Sequence, residues 1–255
     1  MGSNKDSCTH KNHLHLINAD NNCKHCQGAH LCLSFGLRDE SVDEFKHIIR
    51  ERGPYAPGDH IYSPNDNFGS LYSIQTGSVK TETVTIDGRQ SVMGFYLSGD
   101  LIGIDAIGSK HYPNTAIALE TTWLCEIPYE PLLEICSHTP SLQHKLINTL
   151  GSKIHSDEYS WKVVRNESAG RRVMHFLYQL YGRQSKNHIA PLRIVLPMSK
   201  QDLASFLGLT PESFSRTLTR LQNDGYLIKQ SHKVLTLTKA PPSGDVLHST
   251  FPDIK

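Results

Sequence analysis

The stretch MSKQDLASFLGLTPESFSRTLTRLQNDGYLIKQ, residues 198–230, contains the signals of two short helices joined by a tight turn. Ser199 followed by Asp202 forms a capping box that begins the first helix. Thr210 caps the second helix, and Pro211 occupies the favoured first helical position. These signals predict a helix-turn-helix, and the residues that follow predict a turn and a hairpin wing.

The second predicted helix has one apolar and one polar face. Phe214, Leu218 and Leu221 recur at helical spacing and form the apolar face. The polar face is suited to the major groove of DNA, because Arg can bond a guanine edge, Glu can accept from cytosine and Ser can bond to either base of a pair. The residues of the polar face are Glu212, Ser215, Arg216 and Thr219. Glu212 and Arg216 are also four residues apart, so an ordinary surface ion pair is an alternative.

Charge is distributed unevenly along the 255 residues, which carry a net charge of only +1. Residues 162–239 have 13 Lys and Arg against 4 Asp and Glu, a net charge of +9, whereas residues 1–161 have 12 against 19, a net charge of −7. A basic segment is by itself a weak indication of polyanion binding. Combined with a predicted helix-turn-helix, it strongly favours double-stranded DNA.

No apolar run approaches the roughly 18 residues that a membrane span requires. The N-terminal residues also lack the basic and then apolar pattern of a signal peptide. We therefore expect a cytoplasmic protein with no membrane partner.

The pattern between residues 55 and 127 changes to short β-rich runs separated by breaks that contain glycine, and SLYSIQ and SVKTETVTI are examples. Regular spacing of such runs predicts an antiparallel roll or barrel. Short helices are predicted on either side, at residues 37–51 and 130–136. The predicted fold class is therefore α+β.

One long helix is predicted over residues 141–164. A heptad spacing of alternating three and four residues runs along it and is typical of a helix that faces a partner helix, although a core-facing helix is an alternative. The positions with this spacing are Ile147, Leu150, Ile154, Asp157, Trp161 and Val164. We therefore predict a homodimer. Two Asp157 carboxylates about 4 Å apart across its axis would repel by about 4 kcal/mol at an effective dielectric near 20, which would keep the dimer marginal.

The stretch CKHCQGAHLC, residues 23–32, has three cysteines at C-x2-C-x5-C spacing. These are Cys23, Cys26 and Cys32. In a reducing compartment clustered thiols indicate a metal or redox site rather than disulfides. A four-coordinate thiolate site needs one more ligand, and Cys8, Cys125 and Cys136 are available. Cys125 ends a predicted strand, whereas Cys136 lies on a short apolar helix and is most simply a small core residue.

The chain resembles, over nearly its whole length, the oxygen-sensing FNR branch of the cyclic-AMP receptor protein/FNR family of transcription regulators. The resemblance rests on the cysteine spacing with one remote cysteine and on the motif E-x-x-S-R in the second helix of the helix-turn-helix. It extends to the segments SLYSIQTGSVK, GFYLSGDLIGIDAIGS, ALETTWLCEIP and LGLTPESFSRTLTRLQ, which occur in the family's order.

The resemblance implies one oxygen-labile 4Fe–4S cluster per subunit, with Cys23, Cys26, Cys32 and Cys125 as its ligands. It also implies that the cluster-bearing form dimerises and binds palindromic promoter DNA, and that loss of the cluster to oxygen returns inactive monomers. The family's recognition motif falls on Glu212, Ser215 and Arg216. Contacts to RNA polymerase are expected, and no enzymatic motif is present.

The resulting prediction of domain organisation has five parts. These are a cluster-binding segment (1–37), a cyclic-nucleotide-binding-like β-roll (38–139), a dimerisation helix (140–165), a winged helix-turn-helix (166–240) and a tail (241–255).

Cyclic nucleotides are not expected to bind to the roll. The superfamily's phosphate cassette has an Arg before a small residue, but the matching stretch HYPNTAIALE has Asn114 and Thr115 there. Burying a phosphate without a counter-charge would cost several kcal/mol.

Two other functions remain open. The first is a regulator of the same fold that is stabilised by zinc, since C-x2-C is a common half of a zinc site. The second is an iron–sulfur electron-transfer protein, in which a basic helix-turn-helix would have no role.

Overall fold

The computed structural model describes residues 32–33, 39–85, 87–184 and 192–239. Its first helix, α1 (Asp39–Ile48), lies within the predicted residues 37–51. Val42, Phe45 and Ile49 are buried, and their spacing of three and four residues puts them on one side of the helix axis. The predicted amphipathic helix is thus confirmed.

Residues 50–128 form an antiparallel roll of two four-stranded sheets. The strand orders are β1-β8-β3-β6 and β2-β7-β4-β5, and every pairing in them is antiparallel. The strands are β1 (Arg50–Tyr55), β2 (His60–Tyr62), β3 (Ser70–Thr76), β4 (Ser78–Val84), β5 (Gln90–Leu97), β6 (Leu101–Ile102), β7 (Thr115–Ala118) and β8 (Thr122–Pro128). The predicted roll is confirmed, and β1 begins five residues before the predicted β region.

The connection between β3 and β4 depends on Gly77, whose φ is 90°. A Cβ atom here would lie 2.6 Å from the carbonyl oxygen of Thr121 and 2.8 Å from the Cα of Thr122. Only glycine tolerates both the left-handed backbone and this approach of β8. This tight turn lets the chain pass directly from β3 in one sheet to β4 in the other.

Two helices, a short one and a long one, follow the roll. Helix α2 (Tyr129–His138) covers the predicted residues 130–136, and α3 (Pro140–Asn166) covers the predicted residues 141–164. Leu142, Leu146 and Val163 are the buried residues of α3.

Side chains alternate along a strand, so the two faces of β3 and β8 contribute to different hydrophobic clusters. Leu71 and Ile127 pair directly and contribute to a cluster with residues of α1, α2 and α3. Ile74 and Leu124 also pair directly, but they contribute to the interior of the roll. Helices α1 to α3 therefore cover one side of this sheet.

The C-terminal part of the described chain is a winged helix-turn-helix, as predicted. Its three-stranded sheet has the order β10-β11-β9 and is antiparallel. Its elements are α4 (Ala169–Gln184), β9 (Arg193–Val195), α5 (Lys200–Phe206), α6 (Pro211–Asn223), β10 (Leu227–Lys229) and β11 (Val234–Leu237).

The roll and the winged helix-turn-helix share one hydrophobic cluster. Val92 and Phe95 of β5 pack in the cluster that contains Met174, Leu203 and Leu218 of the helices. No pattern in the sequence indicated this contact.

Of the helices in the described part of the chain, none has the length and apolar character that crossing a membrane requires.

Candidate functional site

Helix α6 is held against its domain by one face. Thr210 accepts a hydrogen bond from the backbone N–H of Ser213 at 3.1 Å, which caps the helix as the sequence predicted. Phe214, Leu218 and Leu221 are buried. Burial of each such side chain stabilises by about 1.5–3 kcal/mol, so the rotation of α6 about its axis is well determined.

The opposite face of α6 is exposed to solvent. Glu212, Ser215, Arg216 and Thr219 are all exposed. Over the residues that the structure describes, Glu212 and Arg216 form no ion pair with each other, so the surface-pair alternative is not realised. The Arg216 guanidinium and the Glu212 carboxylate are therefore available to base edges.

Exposed basic side chains flank this polar face. They come from the start of α5, the end of α6, strand β10 and the turn before β11, and such side chains are suited to phosphate contacts that position a protein on DNA. They are Lys200, Arg220, Lys229 and Lys233. The domain thus exposes basic side chains together with the polar face of α6.

The predicted seam of α3 divides into exposed and partly buried positions. Ile147, Ile154 and Trp161, each seven residues apart, are 56%, 61% and 59% exposed. Leu150 is half-buried and packs against the cluster beneath α1 to α3. Residues seven apart lie on one side of a helix, so these three side chains form a continuous apolar stripe. An exposed apolar stripe of this kind marks an interaction surface.

Asp157 has a partner on its own helix. The Lys153 ammonium lies 2.5 Å from the Asp157 carboxylate, one helical turn away, and 5.1 Å from the centre of the Tyr96 ring. Burial lowers the pKa of Lys153, but Tyr96 and Asp157 outweigh that effect and the net direction is upward. Lys153 thus remains charged and partly neutralises Asp157. The i, i+4 spacing of Lys153 and Asp157 in the sequence already indicated this ion pair, which the predicted repulsion between two Asp157 carboxylates did not include.

The cysteines of the described residues fall into two kinds. Cys136 is buried in the core beneath α1 to α3, and burial raises the pKa of its thiol. This confirms its interpretation as a core residue. Cys32 and Cys125 are partly exposed. Two of the four predicted ligands, Cys23 and Cys26, lie outside the described residues.

Cys32 and Cys125 lie on the same side of the first sheet. Cys32 packs against the hydrophobic cluster that includes Ile127. Cys125 is two residues before Ile127 on β8 with no irregularity between them, so it projects from the same face of the sheet. Partly exposed cysteine side chains on one face of a sheet fit the donor set of an iron–sulfur or zinc centre. Among the described residues alone, no group of three or more His, Cys, Asp or Glu could hold a metal ion.

Cys32 also lies close to α3. Leu142 and Leu146 of that helix belong to the cluster against which Cys32 packs. Cys32 is therefore placed near the helix that carries the apolar stripe, an arrangement that no sequence pattern indicated.

The predicted position of the phosphate cassette is occupied by an acidic contact. The buried Asn114 amide donates to the Asp105 carboxylate. Nearby, the rings of Tyr62 and Tyr112 stack with centroids 4.0 Å apart in the interior of the roll. A carboxylate beside Asn114 would oppose a phosphate, which supports the prediction that cyclic nucleotides do not bind.

Two parts of the chain match known domain families. Residues 52–139 match the cyclic nucleotide-binding domain, and residues 171–240 match the Crp-like helix-turn-helix domain. The chain thus has the parts of a DNA-binding regulator with a roll-shaped sensory domain.

Curated relatives define the family further. The chain is 35% identical over 205 residues to the fumarate and nitrate reduction regulatory protein of Salmonella typhimurium, which covers 80% of this chain and 82% of that protein. The fumarate nitrate reduction regulatory protein of Klebsiella oxytoca matches with the same identity and coverage. The chain belongs to the Crp/FNR family of transcription regulators. Its homologues are regulators and not enzymes, which confirms the prediction of a non-enzymatic protein.

Solved structures show the same fold. FixK2 from Bradyrhizobium japonicum superposes with a TM-score of 0.66 at 24% identity, covering 75% of this chain and 92% of that one. The regulator CLP from Xanthomonas campestris superposes with a TM-score of 0.64 at 22% identity, covering 79% and 100%. The predicted α+β architecture is thereby confirmed.

Proposed function

We propose that this protein is an oxygen-responsive transcription regulator that binds palindromic promoter DNA as a homodimer. The observation that carries the proposal is the position of Cys32, which packs against a cluster formed by α3 and by the sheet side that bears Cys125. Both candidate ligands thus lie on the side of the sheet that α3 helps to cover. The name of the relatives, which refers to fumarate and nitrate reduction, favours an anaerobic role.

The cofactor that we propose is one 4Fe–4S cluster per subunit. Cys23, Cys26, Cys32 and Cys125 would hold it, and the buried Cys136 would not. When bound, such a cluster supplies an iron–sulfur centre that oxygen can destroy. The cysteine segment would pack differently against the sheet and α3 once its thiols are released. Leu142 and Leu146 of α3, which share a cluster with Cys32, would then repack.

The dimer that we propose forms through α3. Ile147, Ile154 and Trp161 would be covered by the same residues of the partner subunit, with Leu150 and Asp157 at the intervening seam positions. Burial of these exposed side chains supports association, while the remaining charge of Asp157 opposes it. A small change in the packing of α3 can then shift the equilibrium between monomer and dimer.

The DNA contacts that we propose are made by Glu212, Ser215 and Arg216 of α6. In a two-fold symmetric dimer the two copies of α6 would enter successive major grooves about one helical turn apart, which requires a palindromic site. RNA polymerase is the expected further partner at such a promoter.

The domain organisation that we propose follows the sequence prediction. Residues 1–37 would bind the cluster, 38–139 form the sensory roll, 140–165 the dimer helix and 166–240 the DNA-binding domain, with 241–255 as a tail.

Anaerobic purification tests the cofactor. The protein is expected to be brown, with broad visible absorption and about four iron and four sulfide per subunit. Cys125→Ala is expected to lose this chromophore because it removes a ligand. The matched control Cys136→Ala is expected to retain it, because that thiol lies in the core.

Three outcomes would contradict the cofactor proposal. Absence of iron and sulfide would exclude the cluster, and stoichiometric zinc in a colourless protein would favour the zinc-stabilised alternative. Full absorption in Cys125→Ala would mean that the fourth ligand lies elsewhere.

A further inference from the structure

A charged contact joins the roll to the helix-turn-helix. The Lys80 ammonium of β4 lies 2.7 Å from the carboxylate of Asp202 in α5 and 2.9 Å from the carboxylate of Glu82 in β4. The three side chains are 16%, 17% and 8% exposed. We call these three residues the Lys80 junction. Lys80 and Asp202 are 122 residues apart in the chain.

The junction is attached to the first turn of α5. One Asp202 oxygen accepts from Lys80, while the other accepts from the Ser199 hydroxyl at 2.6 Å. The Ser199 hydroxyl oxygen in turn accepts from the backbone N–H of Asp202 at 3.0 Å. A single carboxylate therefore both caps α5 and connects it to β4. Because Lys80 belongs to β4, a displacement of β4 would also displace the first turn of α5.

Other contacts between the roll and the C-terminal helices include both apolar packing and hydrogen bonds, among them those from Arg183 of α4 to the Asp100 carboxylate and the Phe95 carbonyl oxygen. The ring of Phe95 packs against Phe206 and Phe176 at centroid distances of 5.3 and 5.9 Å. The Val92 backbone N–H donates to the Ser205 hydroxyl at 3.1 Å. Apolar packing holds two surfaces together but tolerates sliding, whereas a buried charged hydrogen bond requires one geometry.

The physical chemistry of buried charges indicates specificity rather than stability. Desolvation of the three charged groups offsets much of their attraction, so the junction contributes little net stability as a whole. Loss of one partner, however, leaves an uncompensated charge in a mostly buried place. The best-attested use of such a group is to select one packing arrangement among several.

We propose that the Lys80 junction sets the orientation of the helix-turn-helix on the roll, so that Lys80 and Asp202 are positioning residues for DNA binding. A dimer can use two copies of α6 at once only if each has the angle that matches the half-site spacing. The role of the junction in DNA binding rests on the proposed function, in which a homodimer binds DNA. The orientation itself is a property of each subunit and can be measured without DNA, dimer or cofactor.

The distance between the two domains tests the orientation directly. Nitroxides are attached to the full chain through noncanonical residues at the exposed positions Glu130 on α2 and His232 on the wing, which leaves the cysteines unmodified. Electron–electron resonance is expected to give one narrow distance distribution for the wild type and for Lys80→Arg. Lys80→Met is expected to broaden or shift it. A distribution in Lys80→Met identical to that of the wild type would overturn the proposal.

DNA binding supplies the second measurement. The probes are the palindromic duplex that the anaerobic wild-type protein selects from a random pool and the same duplex with two base pairs inserted between half-sites. The wild type is expected to bind the duplex with the selected spacing more tightly than the duplex with the insertion. In Lys80→Met the ratio of these two affinities is expected to fall about tenfold. Lys80→Arg is expected to retain the preference. So is Lys110→Met, which removes an exposed lysine of the roll with the same change of charge.

The two proposals fail in different ways. If the wild type selects no palindrome, the proposed function fails, while the distance distributions still decide the role of the junction. A spacing preference in Lys80→Met equal to that of the wild type would contradict the positioning role. Should Lys80→Met fail to fold by circular dichroism, Asp202→Asn replaces it, because the amide oxygen retains a cap for α5 without the charge.

Discussion

Helices α3 and α6 each leave one face exposed, and the two faces differ in chemistry. On α3 the exposed face carries Ile147, Ile154 and Trp161. On α6 it carries polar side chains, among them Glu212 and Arg216. An apolar stripe gains from burial against another apolar surface, whereas a stripe of hydrogen-bonding side chains in a basic domain gains from contact with DNA. Both faces are exposed, and the chemistry of their side chains is what leads us to propose different partners for them.

The comparison also separates how the two faces respond to change. Association through an apolar face is expected to be lost when a charge is introduced into that face. Binding through a few directional hydrogen bonds is expected to weaken when a single donor is removed. Three substitutions test this contrast, and the largest effect is expected on α3.

Ile154→Glu is expected to abolish the dimer. Unpaired carboxylates at the centre of an apolar interface cost about 3 kcal/mol or more per dimer, which weakens association by more than about a hundredfold. Sedimentation equilibrium of anaerobic protein measures it. Val84→Glu is the matched control, because Val84 is an apolar residue of the roll with the same 61% exposure. An intact dimer in Ile154→Glu would show that the stripe is not the interface.

Arg216→Ala is expected to weaken specific DNA binding by about 1–3 kcal/mol, or roughly fivefold to 150-fold, because one bidentate base contact is lost. The dimer should be unaffected. Fluorescence anisotropy with the selected palindrome and an unrelated duplex separates specific from non-specific binding. Arg89→Ala removes an exposed arginine of the roll and should leave both affinities unchanged. Equal loss on both duplexes in Arg216→Ala would argue for a phosphate contact instead.

Asp157→Ala is expected to have the smallest effect, a rise in the dimer association constant of about fivefold, or about 1 kcal/mol, in air-exposed protein. The gain is smaller than bare repulsion would give because Lys153 already pairs with the carboxylate. Sedimentation velocity measures it. Glu158→Ala removes the adjacent exposed carboxylate and serves as control. An unchanged balance between monomer and dimer in Asp157→Ala would remove the repulsion argument.

Local signals made the helix-turn-helix predictable. The capping box of Ser199 and Asp202 and the Thr210–Pro211 start act within one or two turns of the chain, and the structure contains each of them. The buried face of α6 also followed from spacing alone. By contrast, β1 was placed too late because Arg50–Tyr55 has no alternation of apolar residues, and its pairing with β8 depends on residues more than sixty positions away.

The amino-acid sequence by itself determined the periodic features: the roll, the long helix, the winged helix-turn-helix and the partners that their exposed faces favour. The tertiary structure alone decided two contacts, those of Cys32 with the cluster that includes Ile127 and Leu146, and of Lys80 with Asp202. The physical reason is distance along the chain. Periodicity and capping record interactions between neighbours in sequence, whereas a contact between remote residues depends on how whole elements pack and leaves no local pattern.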